Sequence, residues 1–147
     1  MKQKFIETHM KVAETYAELS SAKRLHVGAI IVKDDRIISI GYNGMPAGWD
    51  NNCEDVVIPT LSYLQGDGPT LKTKPEVLHA ETNAIAKLAK STESGNGATL
   101  FVTHSPCLDC AKLVYQSGIN TVYYRNSYRS EDGLQFLEKA GVKVEKI

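Results

Sequence analysis

At 147 residues, with 42% hydrophobic and 23% charged side chains, the chain has the size and composition of one globular domain able to bury a core. Its Lys and Arg balance its Asp and Glu at 17 each, for a formal net charge of zero. That excludes broad electrostatic capture of duplex nucleic acid but leaves room for a local basic pocket that takes one phosphate.

Phe5, Met10, Val12, Ala13, Tyr16, Ala17 and Leu19 recur at mostly helical spacing, which predicts an amphipathic helix over about residues 2–20. The same start is charged throughout and has no apolar leader core, and no apolar run approaches a membrane span, so a cytoplasmic protein is expected. "VGAIIVK" and "RIISIGY" are β-branched runs joined by Asp34-Asp35, the pattern of a hairpin. Residues 43–77 form a long insertion rich in Pro and Gly, predicted to be irregular apart from a short helical turn near Leu61–Gln65. Then follow a helix in "HAETNAIAKLAKS", a strand in "ATLFVTH", a helix in "CLDCAKLVYQSG" stopped by Gly118, and a strand in "NTVYYR". A last helix in "SEDGLQFLEKAG", with Ser130 as its predicted N-cap and Gly141 past its end, leads to the strand "VKVEKI". Strands alternating with helices in the second half imply an α/β fold with parallel neighbours joined by right-handed crossovers. The whole chain, 1–147, reads as one domain without repeats or linkers.

The chemistry is concentrated in "THSPCLDC". An odd cysteine count of three and a reducing compartment disfavour a disulfide between Cys107 and Cys110, leaving a redox pair or half of a metal site. Thiolates at this spacing suit zinc, but neither four cysteines nor a trailing histidine pair is present to close a structural site. A closed site would have to recruit Cys53 or His104. His79 opens the preceding helix, and two helices flanking one strand can bring their N-termini together, where the positive dipole ends favour thiolates. His79, Cys107 and Cys110 then give three ligands and one open position, the pattern of catalytic zinc, which acidifies a water to a pKa of roughly 7. Glu81 can carry that water's proton, provided His79 stands at the helix entrance, because residues two apart inside a helix do not face the same way.

His79-Ala80-Glu81 and Pro106-Cys107-Leu108-Asp109-Cys110 reproduce the H-x-E…P-C-x-x-C signature of zinc-dependent nucleobase deaminases. With "VGAIIVKDDRIISIGYNGMPAG", "HAETNAI" and "THSPCLDCAKLVYQSGI", the chain resembles the dCMP deaminase family of the cytidine-deaminase superfamily over almost its whole length, most loosely between Trp49 and Pro75. "GYNGMP" followed by a long insertion distinguishes this family from the shorter free-nucleoside deaminases. The resemblance implies a three-layer α/β fold with a five-stranded mixed sheet flanked by helices. It also implies hydrolysis of dCMP to dUMP and ammonia, with zinc-activated water attacking C4 and Glu81 shuttling protons. Deamination of free (deoxy)cytidine or dCTP, and a catalytically silent zinc- and nucleotide-binding module, are the alternatives.

By the same resemblance, Asn43 matches the family position that binds the sugar 3′-hydroxyl, against the local alternative of a turn residue before Gly44. Backbone groups around Ala80, Thr103 and Ser105 would read the pyrimidine edge. Arg24, Lys23, Tyr128 and Arg129 are the candidates for the monophosphate, each against the alternative of a solvated surface side chain. Family members are commonly activated by dCTP and inhibited by dTTP as Mg2+ complexes and form hexamers, which points to an effector site around Lys23, Gly41, Asn43 and Gly44. Some relatives hold a second zinc through a loop cysteine. Here Cys53 lacks the companion thiol, and with only His26 in that region no second zinc is expected. His9 reads as a packing residue, and His104 as that or a stacking partner for the base.

Overall fold

The computed structural model describes residues 1–58, 66 and 68–147. Burial along the first strand decides the architecture. In β1 (Gly28–Lys33) Ala29 and Ile31 point to one face and Ile30 and Val32 to the other, and all four are buried, so the sheet is covered on both sides. Strand β2 (Arg36–Tyr42) pairs antiparallel with β1 through a two-residue turn in which Asp34 and Asp35 take φ of 51° and 57°. Positive φ at both positions is the hairpin geometry whose twist matches the strands, and Asp tolerates it better than most residues.

The main sheet has the order β2-β1-β5-β6-β7, with β5 (Thr99–His104), β6 (Thr121–Asn126) and β7 (Lys143–Lys146). β1 and β5 are antiparallel, while β5, β6 and β7 run parallel. This is the expected five-stranded mixed sheet. Helix α1 (Gln3–Ala17) covers one face, packing Ile6, Met10 and Ala13 against Ile30, Val32, Phe101 and Tyr123. Helices α2 (Ala80–Ala89), α3 (Leu108–Gln116) and α4 (Asp132–Lys139) cover the other, where Ala84, Leu88, Ala111, Val114 and Leu137 meet Ile31, Leu100, Val102 and Val122. Each fully buried aliphatic or aromatic side chain contributes about 1.5–3 kcal/mol of transfer free energy. Gly41 in β2 is what lets α2 lie close: a Cβ there would collide with the Ala80 carbonyl and approach the Ala84 nitrogen. Among the described residues no helix is long and apolar enough to cross a membrane.

Two expectations are corrected. The stretch 43–77 is not irregular throughout, because β3 (Glu54–Val57) and β4 (Thr70–Thr73) form an antiparallel hairpin with Glu54 opposite Thr73. Its Val and Thr residues favour extended backbone, and the surrounding Pro and Gly masked that preference. The expected turn at Leu61–Gln65 lies outside the described residues. Helix α4 takes Glu131 as its N-cap position; the Ser130 hydroxyl accepts the Asp132 N–H at 3.2 Å and makes a local turn one residue earlier.

Candidate active site

Helices α2 and α3 begin at residues whose side chains do not cap them. His79 is the N-cap of α2 with extended backbone (φ −78°, ψ 153°), and Cys107 is the N-cap of α3 (φ −68°, ψ 169°). An N-cap Asp or Ser would bond the helix's own first N–H groups; here neither side chain does so. His79 Nδ1 lies 3.3 Å from Cys110 Sγ and 3.7 Å from Cys107 Sγ, and all three ligand atoms lie within 4.8 Å of one another. A tetrahedral zinc with ordinary Zn–N and Zn–S bonds separates N and S by about 3.6 Å, so this donor set fits such an ion. Among the described residues the metal-capable group consists of these three. Cys53 is buried with Ala22 and Val77, its Sγ 3.6 Å from Ser21 Oγ, while His104 Nδ1 pairs with Thr103 Oγ1 at 3.1 Å.

The electrostatics suit a cation. Hydrogen bonds from the Cys110 thiol and from His79 lower the Cys107 pKa to about 4. Cys110 is pushed up because its proton is shared with the Cys107 sulfur and because it is buried. His79 is raised by its bond to Cys107. Glu81 is in the first turn of α2, 4% exposed, and burial raises its pKa against the partial opposition of His79. The extended backbone at His79 releases its side chain from the helical pitch, so two residues only two apart serve one cavity.

That cavity is a cleft of about 460 Å³, within the range of small-molecule sites. His79, Glu81 and Cys107 line it, together with Arg24, Asn43, Tyr128 and Arg129. It opens at the C-terminal ends of the parallel strands β5 and β6, where ligands of open α/β sheets bind. The Asn43 amide is fixed: Oδ1 accepts the Val27 N–H and Nδ2 donates to the Leu25 carbonyl, both at 2.8 Å. That leaves one hydrogen and one lone pair for a ligand, and the backbone of Asn43 does not have the positive φ of a left-handed turn.

Ala80 and Ser105 also line the cleft. Thr103 does not; it is buried in β5, its hydroxyl accepting the Gly28 N–H and its carbonyl accepting the Asn126 amide. Of the residues assigned to an effector, only Asn43 lines the cleft. Gly41 is buried under α2, Gly44 forms a bridge with Leu78, and Lys23 is exposed outside it. Glu54, Thr73, Asn126 and Ser127 line the cleft and escaped sequence reasoning. Asn126 had a signal, as the last residue of a parallel strand beside β5; Glu54 and Thr73 had none, because the hairpin that presents them was not foreseen. Below the ligands, Gly133 lets α4 rest on the Pro106–Cys107 segment, since a Cβ there would collide with the Pro106 carbonyl.

Residues 3–126 match the sequence profile of the cytidine and deoxycytidylate deaminase zinc-binding region. ComE operon protein 2 of Bacillus subtilis is 42% identical over 129 residues, covering 87% of this chain, which spans only 63% of that protein's length. The deoxycytidylate deaminase of Enterobacteria phage T4 is 34% identical over an alignment of 168 positions, covering 93% of this chain and 86% of the phage protein. The crystal structure of the dCMP deaminase from cyanophage S-TIM5 in complex with dCMP and dUMP superimposes with a TM-score of 0.87 at 47% identity, over 100% of this chain and 99% of that one.

Proposed function

The chain belongs to the cytidine and deoxycytidylate deaminase zinc-binding family, and from that premise we propose that it hydrolyses dCMP to dUMP and ammonia. One observation carries the proposal: the buried Glu81 beside a His-Cys-Cys donor set shares a single cleft with Arg24, Tyr128 and Arg129. A base with an exocyclic amine and a phosphate are thereby both provided for. The complex of the similar cyanophage enzyme with dCMP and dUMP supports the same substrate here.

His79, Cys107 and Cys110 are the residues that would hold zinc. When bound, the ion supplies Lewis acidity that brings the pKa of a water to roughly 7. Glu81 would move both protons of the attacking water: it takes the first as the C4–O bond forms and passes it to N3, then takes the second from the new C4 hydroxyl and passes it to the amine as the C4–N bond breaks, so that ammonia leaves and the C4 carbonyl forms. Burial, by raising its pKa, keeps the carboxyl able both to accept and to return a proton. Asn43, already oriented by Leu25 and Val27, offers its remaining donor and acceptor to the sugar hydroxyl. Arg24, Arg129 and Tyr128 offer N–H and O–H donors to the phosphate. Ala80 and Ser105 border the pyrimidine edge.

The proposal extends to activation by dCTP and inhibition by dTTP as Mg2+ complexes, and to a hexamer in the cytoplasm. Exposed apolar side chains on the β3–β4 hairpin and around it, among them Trp49, Val56, Ile58 and Leu71, favour burial between copies. Free thiols in the ligand set agree with a reducing compartment. Comparing turnover of dCMP, deoxycytidine and dCTP tests the substrate, with dCMP expected to be preferred at least 100-fold over deoxycytidine. Faster turnover of deoxycytidine rejects it. Titrating dCMP turnover with Mg-dCTP and Mg-dTTP, and light scattering of the purified protein, test regulation and assembly.

A further inference from the structure

Arg24 lies in the connection between α1 and β1, outside any helix or strand, yet its side chain lines the cleft. A long side chain in such a place must be held if it is to meet a ligand in one geometry, since ordering it costs rotamer entropy. Both of its ends are held by the same cross-strand pair. The backbone N–H groups of Lys23 and Arg24 donate to one oxygen of Glu54, Oε2, at 2.9 and 3.1 Å, and the Arg24 guanidinium donates through Nη1 to Thr73 Oγ1 at 3.1 Å. Glu54 and Thr73 stand opposite each other in the β3–β4 hairpin.

We propose that this hairpin positions the substrate phosphate, with Glu54 and Thr73 acting through Arg24 as the determinants of preference for a nucleotide over a nucleoside; the inference rests on the cleft being a nucleotide site. Three features favour it over a purely structural contact. Glu54 is 4% exposed and its second oxygen, Oε1, has no hydrogen-bond partner among the described residues. Such a buried carboxylate is costly, and holding two backbone N–H groups needs no charge, because an amide or hydroxyl oxygen accepts them equally well. Here the acidic side chain stands where two successive basic residues, Lys23 and Arg24, turn their backbone N–H groups to the hairpin. The bond to Thr73 uses one of the five guanidinium donors and fixes the plane of the group, leaving four for phosphate oxygens. Finally, Glu54 and Thr73 themselves line the cleft, so the hairpin forms part of its wall.

The test uses the zinc-loaded full chain and two substrates, dCMP and deoxycytidine, which differ only in the phosphate. Thr73→Val keeps the side-chain volume and removes the acceptor. It is expected to lower the ratio of kcat/KM for dCMP over deoxycytidine about tenfold, with the loss in the KM for dCMP. Thr73→Ser restores the hydroxyl and should restore the ratio. Glu54→Gln, which can still accept from Lys23 and Arg24 but lacks the charge, should lower the ratio in the same sense. Equal losses on both substrates, or an unmoved ratio in Thr73→Val, overturn the positioning role. A wild-type protein with no preference for dCMP rejects the nucleotide site and this inference together, whereas a wild type with that preference and an unmoved Thr73→Val removes only the hairpin's part.

Discussion

The metal-ligand cluster and the rest of the cleft are built in opposite ways. His79, Glu81, Cys107 and Cys110 come from two short words, each fixed to the start of a helix. Arg24, Asn43, Glu54, Thr73, Asn126, Tyr128 and Arg129 come from separate connections and strand ends that meet only because the sheet and the hairpin assemble. Chemistry that needs fixed spacing is thus encoded locally. The rest of the cleft wall is assembled by the whole fold, so most of its residues share no short motif.

Substitutions test that division. Replacing a proposed ligand, as in Cys110→Ala or His79→Ala, should bring bound zinc by atomic absorption close to zero and abolish turnover; retained metal with either would break the assignment of the cluster. Glu81→Gln should keep zinc and dCMP binding while lowering kcat about 10²- to 10⁴-fold, measured by stopped assays of ammonia release. On the other side of the division, Arg24→Gln should raise the KM for dCMP about 10- to 100-fold with kcat nearly intact. A fall in kcat instead would merge the two regions into one functional unit. Gly133→Ala forces a methyl group onto the Pro106 carbonyl, and a denaturant titration should show destabilisation of about 1–3 kcal/mol.

The smallest effect belongs to neither region. His9 of α1 packs directly on Phe101 of β5, with ring centroids 5.2 Å apart, and burial lowers its pKa. The unfolded chain therefore binds the proton more readily. The stability contributed by neutral His9 is present above about pH 6.5 and declines as pH falls below it. His9→Phe should flatten this acid dependence in melts between pH 7.5 and 5, and an unchanged slope would rule out the ring as its source.

Much of the fold was legible because its signals were periodic or were punctuated by stops. The β-branched run in "GAIIVK", the Asp34-Asp35 turn and the stops at Gly118 and Gly141 fixed the elements in order. The hairpin in the insertion was not legible, because four-residue strands such as "EDVV" and "TLKT" carry too little pattern against a background of Pro and Gly. Glu54 was hidden with it. Thr103 borders the cysteine motif in sequence, and strand alternation turns its hydroxyl toward Gly28. The packing role of Gly41, whose small size lets α2 lie close, carried no pattern in the sequence.

Because His79 and Cys107 direct their side chains to each other's neighbourhood instead of to their own helices, the amide hydrogens that begin α2 and α3 go without the usual side-chain lid. An ion seated between these two openings would tie together segments that are 28 residues apart in the chain. Loading and folding are then linked by mass action, worth about 4 kcal/mol at a thousandfold excess over the dissociation constant. The melting temperature of this protein becomes a gauge of occupancy, readable without any substrate.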